Sequence, residues 1–448
     1  MKRFAILALT FVFTLSLALP NGTVFAKSDA LKFVVDGVEV KGYEQPFMSH
    51  GQVLLPVEDL FNEAGFKVTK DKSRKINVTN THLSVDFNPA AGSIEVDGKK
   101  VQTEFPLTLK NAGNYVSGEF LSTLEGFDVE VSEDKKTVNV TTNRVQDVDA
   151  FFEKMLAADL QSYSSKITLD QKVESLSELG SIDMLMDIEM DITQEPIAMY
   201  MLSKMTMNLE GEKTEEVSET YFTKEGFFQQ TGDKWVKFDD SMTESLLQTS
   251  IAQADPLAQL ELMKKFTKGI HIFEYEDVYV MTQTLTSEEF GEMMQEAMSL
   301  LTGLLPEELT GSSTEDVPVL DENEEGLVEV EDVSVDETED AIEEKAVEEE
   351  GIEDIFEDLA IHIEEYYTVT VIDKKTLFPI ETSGTTLMTL GVDEEMVSIK
   401  QLISGTYSNY NAVKEIKIPA DVIKNAITME AYMKELEVEF EKAEALMK

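Results

Sequence analysis

Cysteine is absent from the 448 residues, tryptophan occurs once and histidine four times. Without a thiol the chain has no disulfide, zinc ribbon, thiolate chemistry or lipid-modified cysteine anchor. The histidines His50, His82, His271 and His362 are scattered, and neither His-x-His nor His-Glu-x-x-His occurs, which removes the common imidazole metal motifs. Positive charge is scarce: 37 Lys and Arg stand against 88 Asp and Glu, a net charge of −51. Such a field repels polyphosphate and attracts cations, so no nucleic-acid partner is expected. After the N-terminus no apolar run reaches spanning length. What remains is a hydrophobic content of 42%, enough for folded domains, in a chain whose length predicts two or three of them.

The first segment reads as an address. Met1-Lys2-Arg3 gives a positive start, Phe4 to Leu19 an apolar run, and Val24-Phe25-Ala26 a small-residue exit before Lys27. A membrane anchor is the competing reading, but the run stops at Pro20-Asn21-Gly22, short of the roughly 20 residues that spanning requires. Residues 1–26 are therefore expected to be a signal peptide. The mature protein is expected to be soluble and extracellular, secreted or associated with the cell wall. An exported chain with no cysteine fits a Gram-positive surface.

The next segment repeats itself. Phe33-Val34-Val35-Asp36-Gly37-Val38-Glu39-Val40 returns as Ile94-Glu95-Val96-Asp97-Gly98-Lys99-Lys100-Val101, an Asp-Gly turn between apolar residues each time. Leu54-Leu55-Pro56-Val57, Ala64-Gly65-Phe66-Lys67-Val68 and Lys75-Ile76-Asn77-Val78 have partners in Tyr115-Val116, Gly126-Phe127-Asp128-Val129 and Thr137-Val138-Asn139-Val140. Each unit predicts strand, turn, strand, a short helix closed by Gly65 or Gly126, then a hairpin. Neither unit can bury its core face alone, so the two are expected to pair. These residues, over Leu31 to Thr142, resemble the copper amine oxidase N-terminal-like domain, a tandem module of secreted bacterial proteins. The resemblance implies a spacer or attachment domain, here 27–145, without copper chemistry. The second copy has Ser117-Gly118 where the first has Leu55-Pro56, which leaves its helix start open.

Amine oxidases of that name build a quinone from tyrosine in a Thr-x-x-Asn-Tyr-acid motif, and Thr406-Tyr407-Ser408-Asn409-Tyr410-Asn411 matches all but its last residue. The chemistry also needs three imidazoles after the tyrosine, whereas all four histidines precede it. Asn409-Tyr410-Asn411 is better read as a strand end and turn, and no amine oxidase activity and no cofactor are expected.

From Val148 the pattern predicts a helix carrying Phe151, Phe152, Met155 and Leu156, then long strands. Met184, Met186, Ile188, Met190 and Ile192 alternate with Asp183, Leu185, Asp187, Glu189 and Asp191. Met199, Met201, Met205 and Met207 share one face of the following strand with Leu209 and Ser203. Short strands follow around Tyr221 to Phe228 and Gly232 to Phe238; helices are expected after Asp255-Pro256 and from Thr286, whose Glu289 completes a capping box. Strands return at Ile361 to Ile372, Thr385 to Leu390 and Val397 to Tyr407. The fold class is thus α+β: a small domain of paired antiparallel hairpins with short helices, then a curved antiparallel half-barrel with helices over 146–428, and a C-terminal helix, 429–448.

The Phe-Phe helix, Gly232-Asp233-Lys234-Trp235-Val236-Lys237, Ile372-Asp373-Lys374-Lys375-Thr376-Leu377-Phe378-Pro379, and Tyr407-Ser408-Asn409-Tyr410-Asn411 before Ile416-Lys417-Ile418-Pro419 resemble an uncharacterised secreted branch of the lipoprotein-carrier-like superfamily. The resemblance implies a curved sheet around an apolar cavity that shelters lipid chains. On it, Met184, Met186, Met190, Met199, Met201, Met205, Met207 and Trp235 are the candidate ligand-lining residues. Methionine is flexible and polarizable and suits variable apolar ligands, although core packing is the plainer reading of such a stripe. Methionine copper binding lacks an accompanying His or Cys cluster.

Glu315 to Asp358 holds 22 acidic residues and one base, Lys345, and is expected to form a disordered insertion, placed at 306–356, that collects cations diffusely. Within it Asp321 to Asp332 approaches a calcium loop but has Glu at the fifth position and Asp at the twelfth, and no helix precedes it. Two functions follow from the whole: a non-enzymatic surface protein holding a lipid or other apolar ligand, or a structural envelope protein binding wall or surface partners. No nucleophile, base and orienting-group set or metal cluster is visible in the sequence.

Overall fold

The computed structural model describes residues 31–42, 44–101, 107–110, 113–175, 181–209, 212–241, 243, 267, 269–293, 360–392, 395–436 and 438. The signal-peptide segment, the acidic insertion with its calcium-like loop, and the helix expected after Pro256 lie outside these residues.

The N-terminal unit contains β1 (Lys32–Val35), β2 (Val38–Glu39), β3 (Phe47–Ser49), β4 (Gln52–Pro56), β5 (Lys67–Lys70), β6 (Ile76–Thr79), β7 (Ser84–Asn88), β8 (Ser93–Val96), β9 (Lys99–Val101), β10 (Thr108–Lys110), β11 (Gly113–Ser117), β12 (Phe127–Val131) and β13 (Thr137–Thr142). The repeats exchange strands. β1 and β2 of the first join β12 and β13 of the second, β4 pairs with β11, and β8 and β9 of the second reach β5 and β6 of the first through β7. Both Asp-Gly turns hold the two central residues at positive φ, as a two-residue hairpin requires. The second helix, Gly118–Leu121, starts where the sequence left its start open: Ser117 caps it, its Oγ accepting from Phe120 N at 3.1 Å.

Twelve strands form the remaining sheet. They are β14 (Ser162–Ser175), β15 (Ser181–Gln194), β16 (Ile197–Leu209), β17 (Glu212–Thr223), β18 (Gly226–Thr231), β19 (Lys234–Lys237), β20 (Ile270–Glu274), β21 (Val278–Thr284), β22 (Ala360–Asp373), β23 (Pro379–Val392), β24 (Glu395–Ser408) and β25 (Ile427–Thr428). Their order is β20-β21-β22-β23-β24-β14-β15-β16-β17-β18-β19-β25, antiparallel except for β19 with β25. The described residues are mostly strand with few, short helices, so the antiparallel sheets agree with the expectation and the α+β class holds only in part: among these residues the fold is mainly β. The apolar periods of 3.6 are real but short, as in the helix Val148–Leu156, capped by Asp147 Oδ1 at 2.9 Å from Ala150 N. Thr286 and Glu289 form the expected reciprocal capping box before a helical segment at 287–293. Asn409 and Asn411 lie in the left-handed region just after β24, the turn expected of them.

Cross-strand partners share a face of the sheet. One face carries Ile272, Met281 and Ile372, on which Phe151 and Phe152 pack. It continues through Met388 and Ile399, which Phe290 covers, to the methionines of β15 and β16. The opposite face of β20 to β22 presents Phe273, Val280, Tyr367 and Val369, which belong to the same core as Phe61, Phe66, Phe87 and Phe127 of the N-terminal unit. Phe66 and Phe273 meet edge to face, ring centroids 5.1 Å apart. Burial of each such ring contributes about 1.5–3 kcal/mol. The connecting residues add to the sheet edge, Val145 N donating to Ile272 O at 2.7 Å and Glu274 N to Asn143 O at 3.0 Å.

Candidate functional site

The registers bring the seven predicted methionines together. On β14, β15 and β16 the rows read Gln171, Met184, Met207; Leu169, Met186, Met205; Ile167, Ile188, Ser203; Ser165, Met190, Met201; and Tyr163, Ile192, Met199. Gln401, Ile403, Gly405 and Tyr407 of β24 extend the first four rows. Each methionine is half-buried, while Asp183, Asp187 and Glu189 on the other face of β15 are exposed. This is the alternation expected of a sheet with one apolar face. From Tyr163 to Val173, Ile182 to Ile192 and Met199 to Met207, every side chain on this face is uncharged. Burial pushes the Tyr163 and Tyr407 phenols above their ordinary range, so this end of the face also stays neutral.

Trp235 does not join them. It lies on the opposite face, in the row of Gln230, with its ring beside Tyr221 at 5.8 Å and packed with Phe228, Ile418 and Val422. The period of two was legible in the short strand, but its phase relative to β15 passes through four hairpins. Three of the motifs quoted above, around Trp235, Asn409 and Ile416, meet near this side of the sheet. There Ser164, Asp191, Tyr200, Tyr221, Asn409 and Lys417 line a shallow groove of about 430 Å³.

Sequence reading passed over three polar residues of the methionine face. Gln171 is 1% exposed, and Ser165 and Thr220 2% each. Gln171 Nε2, Ser165 Oγ and Thr220 Oγ1 are buried and without hydrogen-bond partners. The signal available was a polar residue interrupting the apolar phase of β14 at two places; only the register showed that both fall among methionines. Among the described residues no group of three His, Asp or Glu side chains converges as a metal site.

A second cluster joins the two parts of the molecule. Asp36 accepts from Thr142 N and Thr142 Oγ1, both at 2.7 Å, and faces Arg144 Nε at 3.4 Å. Arg144 Nη1 donates to His271 Nδ1 at 2.8 Å, which leaves the imidazole neutral with its proton on Nε2. Burial, then the Arg144 charge, lowers the His271 pKa to about 4 against a weaker opposing pull from Asp36. Gly65, at φ +85°, admits this ring: a Cβ there would lie 2.3 Å from His271 Cδ2. Thr282 Oγ1 donates to Gly65 O at 2.9 Å and Asn80 Nδ2 to Tyr275 Oη at 2.8 Å.

The sequence matches the family model of a family of unknown function, DUF6612, over residues 147–305 and 315–427. It matches the copper amine oxidase N-terminal domain over residues 34–140. No curated protein matches it. Among solved structures, LprF from Mycobacterium bovis is similar at 12% identity, covering 62% of this chain and 99% of that one, with a TM-score of 0.25. A DUF1329 family protein from Desulfovibrio piger ATCC 29098 is similar at 9% identity, covering 61% and 96%, with a TM-score of 0.16.

Proposed function

From the premise that the chain belongs to the family of unknown function DUF6612, joined here to a copper amine oxidase N-terminal domain, we propose a non-enzymatic envelope protein whose methionine face holds an apolar, lipid-type ligand. The observation that carries this is the convergence of seven half-buried methionines on two adjacent strands, on a face that is uncharged across β14, β15 and β16 and meets its first carboxylate at Glu216 of β17, beside Met205. Unbranched thioether side chains adapt to chains of differing shape without a fixed pocket outline. The acidic residues of β15 point the other way, so that strand brings no charge to the ligand face.

The proposal includes export through the 1–26 signal segment and the boundaries 27–145 and 146–428. The N-terminal unit is then an attachment platform built into the carrier sheet, since its core is continuous with β20 to β22. Native mass spectrometry with solvent extraction, on protein purified from its own host without detergent, tests the reading. A stoichiometric apolar molecule is expected, and Met186→Asp with Met201→Asp should remove it, because each carboxylate would be desolvated by the ligand. A clean apo mass together with no uptake of fluorescent fatty acid or diacylglycerol would favour a structural envelope role.

A further inference from the structure

Three buried polar atoms on the methionine face lack partners, and they are not scattered. Ser165 and Thr220 stand on either side of two methionines in one cross-strand row, Ser165, Met190, Met201, Thr220. Gln171 lies beside two more in another, Gln401, Gln171, Met184, Met207. On strand spacings, Ser165 and Thr220 stand about 14 Å apart across the sheet, and Gln171 about 20 Å from Ser165 along β14. A buried donor left unmet is destabilising, and native folds leave few such groups unless something else meets them. Other unpartnered buried atoms lie elsewhere: Asn114 Oδ1 in the N-terminal unit, Tyr410 Oη, whose ring meets Phe378, and Glu365 Oε1, which lies 2.5 Å from Lys67 Nζ.

The polar groups define what the ligand must offer. An amide nitrogen only donates, so Gln171 requires an acceptor; the two hydroxyls can donate to one. No basic side chain on this face of β14, β15 or β16 is placed to pair with a carboxylate or phosphate between Tyr163 and Val173, Ile182 and Ile192, or Met199 and Met207. A charge brought there would be desolvated without compensation. An uncharged acceptor carried on long apolar chains is an ester carbonyl. We infer that the methionine face takes an uncharged, ester-bearing lipid, with Gln171, Ser165 and Thr220 as the groups that bind its carbonyl and hydroxyl oxygens. The inference rests on the ligand-holding reading above and narrows it from apolar molecules in general to one class.

The test uses the full secreted chain, mixed with phosphatidylcholine vesicles carrying one fluorescent probe at a time: a 1,2-diacylglycerol, a fatty acid or phosphatidylglycerol. Protein-bound fluorescence is read after gel filtration. The diacylglycerol should be bound at least tenfold more tightly than either charged probe. Gln171→Met and Thr220→Val, both close in shape to the originals, should each weaken its binding about tenfold, the factor that corresponds to one lost hydrogen bond. Their unliganded melting temperatures should equal or exceed that of the parent, because each removes an unmet polar group. A preference for fatty acid or phosphatidylglycerol overturns the inference, as does diacylglycerol binding within twofold of the parent in both variants. Variants that melt earlier and lose all probes equally would assign these groups to the fold and also overturn it. Failure of every probe, with no apolar molecule co-purifying, defeats the ligand-holding reading itself.

Discussion

His271 shows how one side chain can tie stability to pH. In the unfolded chain its imidazole titrates near 6.5, whereas in the folded protein burial, and after it the Arg144 charge, hold it neutral down to about 4. The unfolded state therefore binds the proton first as pH falls. The contribution is complete above about pH 6.5 and is lost progressively between 6.5 and 4, an effect of roughly 3 kcal/mol at most. Denaturant unfolding at pH 7 and pH 4.5 should show the parent losing about 1–3 kcal/mol more than His271→Asn, with carboxylate effects common to both. Equal losses would show that the ring is as accessible to protons folded as unfolded. Nothing about His271 in the sequence distinguished it from the other three histidines. Its character comes from Arg144 and Gly65, 127 and 206 positions away.

At the scale of the element, period two in β15 was plain because Asp183, Asp187, Glu189 and Asp191 share one phase, broken only by Leu185, against Met and Ile in the other. The shorter strands carried a pattern but no phase. Trp235 is the case in point: it is the chain's one tryptophan, and it packs against Tyr221, Ile418 and Val422 on the face away from the methionines. Ligand uptake on the methionine face should therefore leave its emission maximum within a few nanometres of the unliganded value. A large blue shift on loading would place the ligand against Trp235 and on the wrong side of the sheet for this reading. The short helices were legible from their caps, Asp147, Ser117 and the Thr286 with Glu289 pair, since a capping side chain acts within three residues. The weight of strand over helix was not, because apolar runs in the later part of the chain fit either period.

Across the whole molecule, the tandem unit and the sheet are one packed body. Phe66 and Phe127 of the repeats share a core with Phe273, Tyr275 and Val369 of the sheet, and Tyr367 Oη donates to Thr79 O at 3.2 Å. This boundary is apolar and closely packed, unlike the polar, thinly contacted boundaries between domains that move independently. Differential scanning calorimetry should accordingly show one cooperative transition for both parts, with its calorimetric and van't Hoff enthalpies in agreement. Two resolved transitions would mean that the shared core contributes little. Val369→Asp, placed in that core, should lower the melting temperature of both parts together.

By itself the sequence determined what depends on neighbours along the chain. The repeat, its Asp-Gly turns, the capped helix starts and the two-faced β15 follow from interactions spanning a few residues, and the charge of −51 follows from composition alone. The matches to DUF6612 and to the copper amine oxidase N-terminal domain rest on that same local order. Only the tertiary structure decided the rest. The exchange of β1 for β8 between the repeats, the placing of Trp235 opposite the methionines, the burial of Gln171, Ser165 and Thr220, and the docking of His271 on Gly65 each depend on strand register. Register is set by the summed packing of whole faces, and a slip of one residue would turn every side chain of a strand to the other side.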